Sequence, residues 1–178
     1  LLLDLGHRHI AMLSGPVQVS TAAERAAGYR AALLEAGIQP EPALILHGSY
    51  AIASGYEMMQ QVLSVSPQPT AVFAANNFLA MGAYRALRDT GLRVPEDIAM
   101  VAFDDLPEAM VFEPFLTVAA QPAYDMGKRA TELLLTRLAE LGNGQATPHA
   151  PEEIVLPTAI IVRRSSGQPL AAPGHDAH

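Results

Sequence analysis

The sequence predicts an α/β fold built on a parallel sheet. Three observations carry that prediction. Short apolar runs alternate with helical patterns, the signature of β-α-β units. Half of the 178 residues are apolar and 16% are charged, enough apolar material for one packed core. Candidate helices end on Gly37 and Gly91, the residue type that closes a helix in a left-handed turn.

Taken in order, HIAMLSG (9–15) reads as a buried strand. The helix TAAERAAGYRAALLEAG follows, with Thr21 as N-cap and Glu24 completing a capping box. ALILH (43–47) is the next strand, and Ser54 with Glu57 forms a second capping box for a helix reaching about Val65. TAVFAA (70–75) is a strand, after which Asn77 caps the helix FLAMGAYRALRDT. IAMVAF (98–103) is the strand that runs into Asp104 and Asp105.

Beyond Pro114 the pattern changes. LTVAA (116–120) reads as a short strand and PAYDMGKRATELLLTRLAEL as a helix, with Pro122 in its first turn. Met126, Ala130, Leu133, Leu134, Leu138 and Leu141 share one face of that helix. A loop leads to EIVLPTAIIV (153–162), an edge strand broken by Pro157. The tail 167–178 is expected to be disordered. LLLDLG at the start has the pattern of a helix's last turn, which suggests a piece of a longer chain.

Composition removes several function classes. The formal net charge is -7, from 11 Lys+Arg against 18 Asp+Glu, with no clustered basic surface of the kind nucleic acid requires. The absence of cysteine excludes disulfides, thiol nucleophiles and Cys-based zinc sites. No apolar run approaches the ~18 residues that span a bilayer. LLLDLGHRH has neither a basic leader nor a cleavage site, so a cytoplasmic location is the default.

Ligands of open parallel sheets bind beyond the carboxyl ends of the strands. Ser14 and Gly15, His47 to Tyr50, Asn76 and Asn77, and Asp104 and Asp105 occupy those positions, and Arg25 joins them from the first helix. The set holds a guanidinium, carboxylates, amides and an aromatic ring, with no activated nucleophile. The adjacent acids fit a Mg²⁺ or phosphoryl site, a grip on ligand hydroxyls, or a loop cap. A phosphoacceptor site also wants a nearby lysine, and the only lysine is the distant Lys128. His7 and His9 read as surface or turn histidines, lacking further ligands for a metal. Met58, Met59, Met81 and Met110 read as core or interface fillers.

Five stretches in order, LGHRHIAMLSG, TAAERAAGYRAALLEAGI, PTAVFAANNFLAMGAYRAL, GLRVPEDIAMVAFDD and P.LTVAAQPAYDMGKRA, together resemble the effector-binding core of LacI/GalR-type transcriptional regulators. The resemblance runs from about residue 1 to residue 166. It implies a periplasmic-binding-protein-like (type I) fold, mainly its C-terminal subdomain, from residues 6–115 and 150–166. Residues 116–145 would cross into the N-terminal subdomain. Function then follows as control of operator DNA by a sugar or similar effector, in a homodimer, through an upstream helix-turn-helix outside this chain. No enzyme activity, cofactor or membrane contact is implied.

Residue by residue, the resemblance assigns ligand contacts to Arg25, Tyr50, Asn76 and Asp104, with Thr21 and Gln121 at less constant positions. Two departures stand out: Asn77 replaces a usual aspartate, and Ala102 a usual glycine. The resemblance also places a dimer contact at Met81 to Leu87 and Met110 to Phe115. The apolar face of helix 122–141 would lack its normal cover, which predicts self-association or further upstream residues. The competing readings are an extracytoplasmic sugar-binding protein of a transporter and a Mg²⁺-dependent enzyme using Asp104 and Asp105.

Overall fold

The computed structural model describes residues 1–106, 114–142 and 153–167. Its strands are β1 (Ile10–Ser14), β2 (Ile45–His47), β3 (Ala71–Ala74), β4 (Ala99–Phe103), β5 (Thr117–Ala120) and β6 (Ala159–Ile161). Its helices are α1 (Ser20–Glu35), α2 (Ile52–Leu63), α3 (Asn77–Asp89) and α4 (Ala123–Gly142). The strands form one six-stranded sheet in the order β2-β1-β3-β4-β5-β6. The pairs β1–β2, β1–β3, β3–β4 and β4–β5 are parallel. The expected α/β parallel-sheet fold is therefore present.

The chain divides into two compact units. One comprises residues 1–119 and 160–178, the other residues 120–159. In the first, β1 is buried along its whole length, as a central strand covered on both faces must be. Right-handed crossovers put α1 on one face of the sheet and α2 with α3 on the other. There α2 and α3 approach backbone to backbone. A Cβ on Gly82 would collide with the carbonyl of Ile52, and one on Gly55 with the backbone of Leu79. Met58, Met59, Val62, Leu79 and Leu87 fill the space beneath. The expectation that Met58 and Met59 are core residues holds.

The helix ends correct part of the sequence reading. Gly37 (φ 73°) and Gly91 (φ 77°) do close α1 and α3. Each closure has the paired bonds of a Schellman turn, Ile38 N–H to Leu33 O at 2.8 Å and Leu92 N–H to Leu87 O at 2.9 Å. The N-termini differ from expectation. Helix α1 starts at Ser20 with Val19 in the cap position, and α2 starts at Ile52 after Ala51; neither has a side-chain cap. Thr21 and Ser54 already lie inside their helices, so neither capping box can form. At α3 the cap is Asn76, extended at φ -155°, whose Oδ1 accepts from Leu79 N–H at 2.8 Å. Asn77 is the first helical residue instead.

His7 also departs from expectation: it is buried, and its Nδ1 lies 2.9 Å from Thr70 Oγ1. The edge strand is shorter than 153–162 and comprises Ala159–Ile161 alone. In the second unit, α4 buries none of its side chains, and Leu134, Leu138 and Leu141 are each more than half exposed. Met110 and nearly all of the tail 167–178 lie outside the described residues.

Candidate effector site

The strand order reverses on either side of β1, because β2 lies on one flank and β3 on the other. Such a switch point opens a crevice at the carboxyl ends of the strands. Arg25, Tyr50, Asn76 and Asp104 all belong to the unit containing this edge. Their side chains are held there by different local devices.

Arg25 reaches up from α1. Its Nη1 donates to Ala75 O at 2.7 Å, just past the end of β3. Its guanidinium carbon stands 3.8 Å from the ring centre of Phe103, the last residue of β4. A backbone bond and a cation–π contact thus fix the group between two strand ends. An arginine held in this way is not a freely solvated helix charge.

Asn76, buried at 9% exposure, spends its Oδ1 on capping α3. That orients the amide so that Nδ2, a donor, is the group left over. Tyr50 follows β2 and lays its ring against Gly15, where any Cβ would clash with the ring carbons. Its hydroxyl and that of Ser14 are both buried without a hydrogen-bond partner among the described residues. His47 Nδ1 lies 3.1 Å from Gly15 O, so that nitrogen carries the proton and fixes the turn.

The two acids at the end of β4 have separate environments. Asp104 has φ 67°, the one non-glycine residue in the left-handed region among those described, and its N–H donates to Ala119 O at 3.0 Å. Asp105 is taken up by Arg163 in a bidentate fork, Nη2 to Oδ2 at 2.6 Å and Nη1 to Oδ1 at 2.8 Å. That guanidinium holds the Asp105 carboxyl below its ordinary range. Asn77 Nδ2 donates to Asp105 O at 2.9 Å, joining the ends of β3 and β4. A guanidinium fork satisfies the carboxylate that a metal would need, and no group of three or more His, Asp or Glu among the described residues is arranged for a metal ion.

Thr21 is exposed in the first turn of α1. Gln121 belongs to the second unit and is half-buried. Sequence reasoning missed Arg163 altogether. The arginine directly follows the apolar run Ala159–Val162 and precedes a second arginine, so no local pattern marks it as the partner of Asp105. An apolar groove lined by Leu2, Leu33, Phe73, Val101 and Ile160 lies elsewhere and offers few polar groups for a hydroxylated ligand.

Residues 1–166 match the family described as periplasmic binding protein-like domain. Among curated proteins, the chain is 39% identical over 164 residues to the HTH-type transcriptional regulator CelR of Thermobifida fusca. That alignment covers 92% of this chain and 46% of the relative. It is 38% identical over the same length to the HTH-type transcriptional repressor PurR of Escherichia coli O1:K1 / APEC, again 92% and 46%. The chain thus spans about half the length of these relatives. Among solved structures, a CelR–cellobiose complex superposes with a TM-score of 0.81 at 39% identity, over 92% of this chain and 48% of that one. The lac repressor dimer bound to operator and the anti-inducer ONPF gives 0.76 at 32% identity, over 93% and 47%. These relatives are transcriptional regulators rather than enzymes. The chain belongs to the periplasmic binding protein-like domain family, as the effector-binding core of the LacI type of regulator.

Proposed function

We propose that this chain senses a carbohydrate or similarly polar small metabolite and, within a longer homodimeric repressor, controls operator DNA through a helix-turn-helix outside these residues. One observation carries the reading. Arg25, Tyr50, Asn76 and Asp104 gather at the carboxyl edge around the β1–β3 switch point, with Arg25 anchored at Ala75 and over Phe103. Asp104 accepts from adjacent ligand hydroxyls, Arg25 and Asn76 Nδ2 donate to ring and hydroxyl oxygens, and the Tyr50 ring covers an apolar sugar face. Thr21 and Gln121 add outer contacts.

No helix among the described residues is long and apolar enough to cross a membrane. We place the regulator in the cytoplasm, where its operator is. Residues 6–115 and 150–166 act as the C-terminal subdomain, and 116–145 as the crossover segment of the N-terminal one. The dimer contact uses the stretch Met81 to Leu87 and the loop Met110 to Phe115; within the first, Arg85 is exposed, while Leu87 is buried against the chain's own core. The ligand shifts the regulator only by its differential affinity for two states.

Calorimetric titration of the full-length regulator with cellobiose tests the reading. Each hydrogen bond to a charged group contributes roughly 1.5–3 kcal/mol. Asp104→Ala is therefore expected to weaken binding by about 10- to 150-fold. Unchanged affinity in that variant removes Asp104 from the site and the reading with it.

A further inference from the structure

Resting on the reading of Asp104 as a ligand contact, we infer that Arg163 is a positioning residue for the site, aiming the Asp104 carboxylate through Asp105. The observations lie in the residues around Asp104. Its left-handed backbone, φ 67°, is sparsely populated by side-chain-bearing residues and persists where the surroundings over-determine it. Asp104 N–H donates to Ala119 O at 3.0 Å, which holds one end. The other end is Asp105, fixed at both its carboxylate and its carbonyl. Arg163 grips the carboxylate at 2.6 and 2.8 Å, Leu106 N–H donates to Oδ1 at 2.8 Å, and Asn77 Nδ2 donates to the carbonyl at 2.9 Å.

Arg163 is itself held. Its Nη1 also donates to Leu116 O at 2.8 Å, and its backbone N–H to Thr117 Oγ1 at 2.8 Å. Thr117 in turn donates to Arg163 O at 2.8 Å, and Ser165 Oγ to Met100 O at 2.7 Å. The arginine side chain is 18% exposed and its partner Asp105 33%, so the pair is sheltered from full solvent screening. A guanidinium fork fixes direction as well as distance, which a lysine ammonium does not. Arg163 and Thr117 also flank the two points where the chain leaves the first unit after Ala119 and returns at Ile160.

The test is a double-mutant cycle in the full-length regulator, titrated calorimetrically with cellobiose. Arg163→Met is expected to weaken binding tenfold or more and Arg163→Lys by an intermediate factor. Asp104→Ala with Arg163→Met is expected to bind no more weakly than Asp104→Ala alone. A merely structural arginine would lower the melting temperature without that non-additivity. Affinity of Arg163→Met within twofold of the unaltered protein, or losses that multiply in full, overturns the inference. Should the unaltered protein not take up cellobiose, the carbohydrate reading falls, and amide hydrogen exchange decides the positioning role without ligand. Faster exchange at Asp104 to Leu106 in Arg163→Lys, with β1 unchanged, supports it; unchanged exchange there overturns it.

Discussion

Asp105 and Arg163 stand 58 residues apart in the chain and meet through two hydrogen bonds of 2.6 and 2.8 Å. Because the guanidinium lowers the Asp105 pKa, its contribution to stability has a definite sign. The contribution is present above the unfolded carboxylate value, near 3.9, and is lost as pH falls through the lower folded value. Asp97, held at about 2 by Arg93, adds a second acid-sensitive pair that Arg163→Met leaves in place. Urea midpoints measured from pH 6 to pH 2 are expected to fall more steeply in the unaltered protein than in Arg163→Met. Parallel curves would show that the pair adds nothing to stability.

The elements were legible because their signals are local. The central strand β1 is an apolar run buried along its whole length, and Gly37 and Gly91 mark helix ends wherever they occur. Capping was less legible, because a capping box is a spacing that also arises inside a helix. Thr21 and Glu24 have the spacing, yet the helix begins two residues earlier than that cap implies, after the Pro16–Val19 turn. Asn76 and Asn77 are adjacent and chemically identical, so only the extended backbone at Asn76 decides which one caps. Arg163 was beyond reach for another reason: pairing across 58 residues is set by the tertiary fold, in which the residues following β6 turn back to β4. The strand-end location of Tyr50, Asn76 and Asp104 was legible because topology places those positions there whatever the loop sequence.

Asn76 has two duties that substitution can separate. Asn76→Ala removes the acceptor for Leu79 N–H and is expected to cost about 1 kcal/mol, as lost N-caps do. Asn76→Asp keeps an acceptor and adds a negative charge at the N-terminus of α3, where the helix dipole favours it. It also removes the Nδ2 donor. Thermal unfolding should therefore show Asn76→Asp as stable as the unaltered protein, while cellobiose titration shows it weakened. Retained affinity in Asn76→Asp would confine the residue to capping.

His7 gives a second pH dependence, in a different window. Burial disfavours its charged form, so its folded pKa lies below 6.5. The unfolded chain binds the proton first as pH falls below 6.5, and stability drops until the folded value is passed. His7→Gln keeps a polar partner for Thr70 Oγ1, at 2.9 Å in the unaltered protein, and does not titrate. The difference in unfolding midpoint between pH 7.5 and pH 5 is expected to shrink in this variant. An equal difference in both proteins assigns the acid sensitivity elsewhere.

Gly15 and Tyr50 give the most direct separation of packing from recognition. The Tyr50 ring occupies the space a Cβ on residue 15 would need, so Gly15→Ala must displace the ring or the strand end. Overpacking of this kind costs about 1–3 kcal/mol. Tyr50→Ala in the same chain removes the obstruction, and is expected to recover part of the lost stability without recovering ligand affinity. Tyr50→Phe is the finer probe, because the hydroxyl is buried without a hydrogen-bond partner among the described residues. Deleting an unsatisfied buried group is neutral or stabilising in the ligand-free protein. Melting temperatures of Gly15→Ala, Tyr50→Phe and the Gly15→Ala/Tyr50→Ala pair, each set beside a cellobiose titration, check this. A Tyr50→Phe protein that melts several degrees lower has lost a hydrogen bond, and the hydroxyl then belongs to the fold.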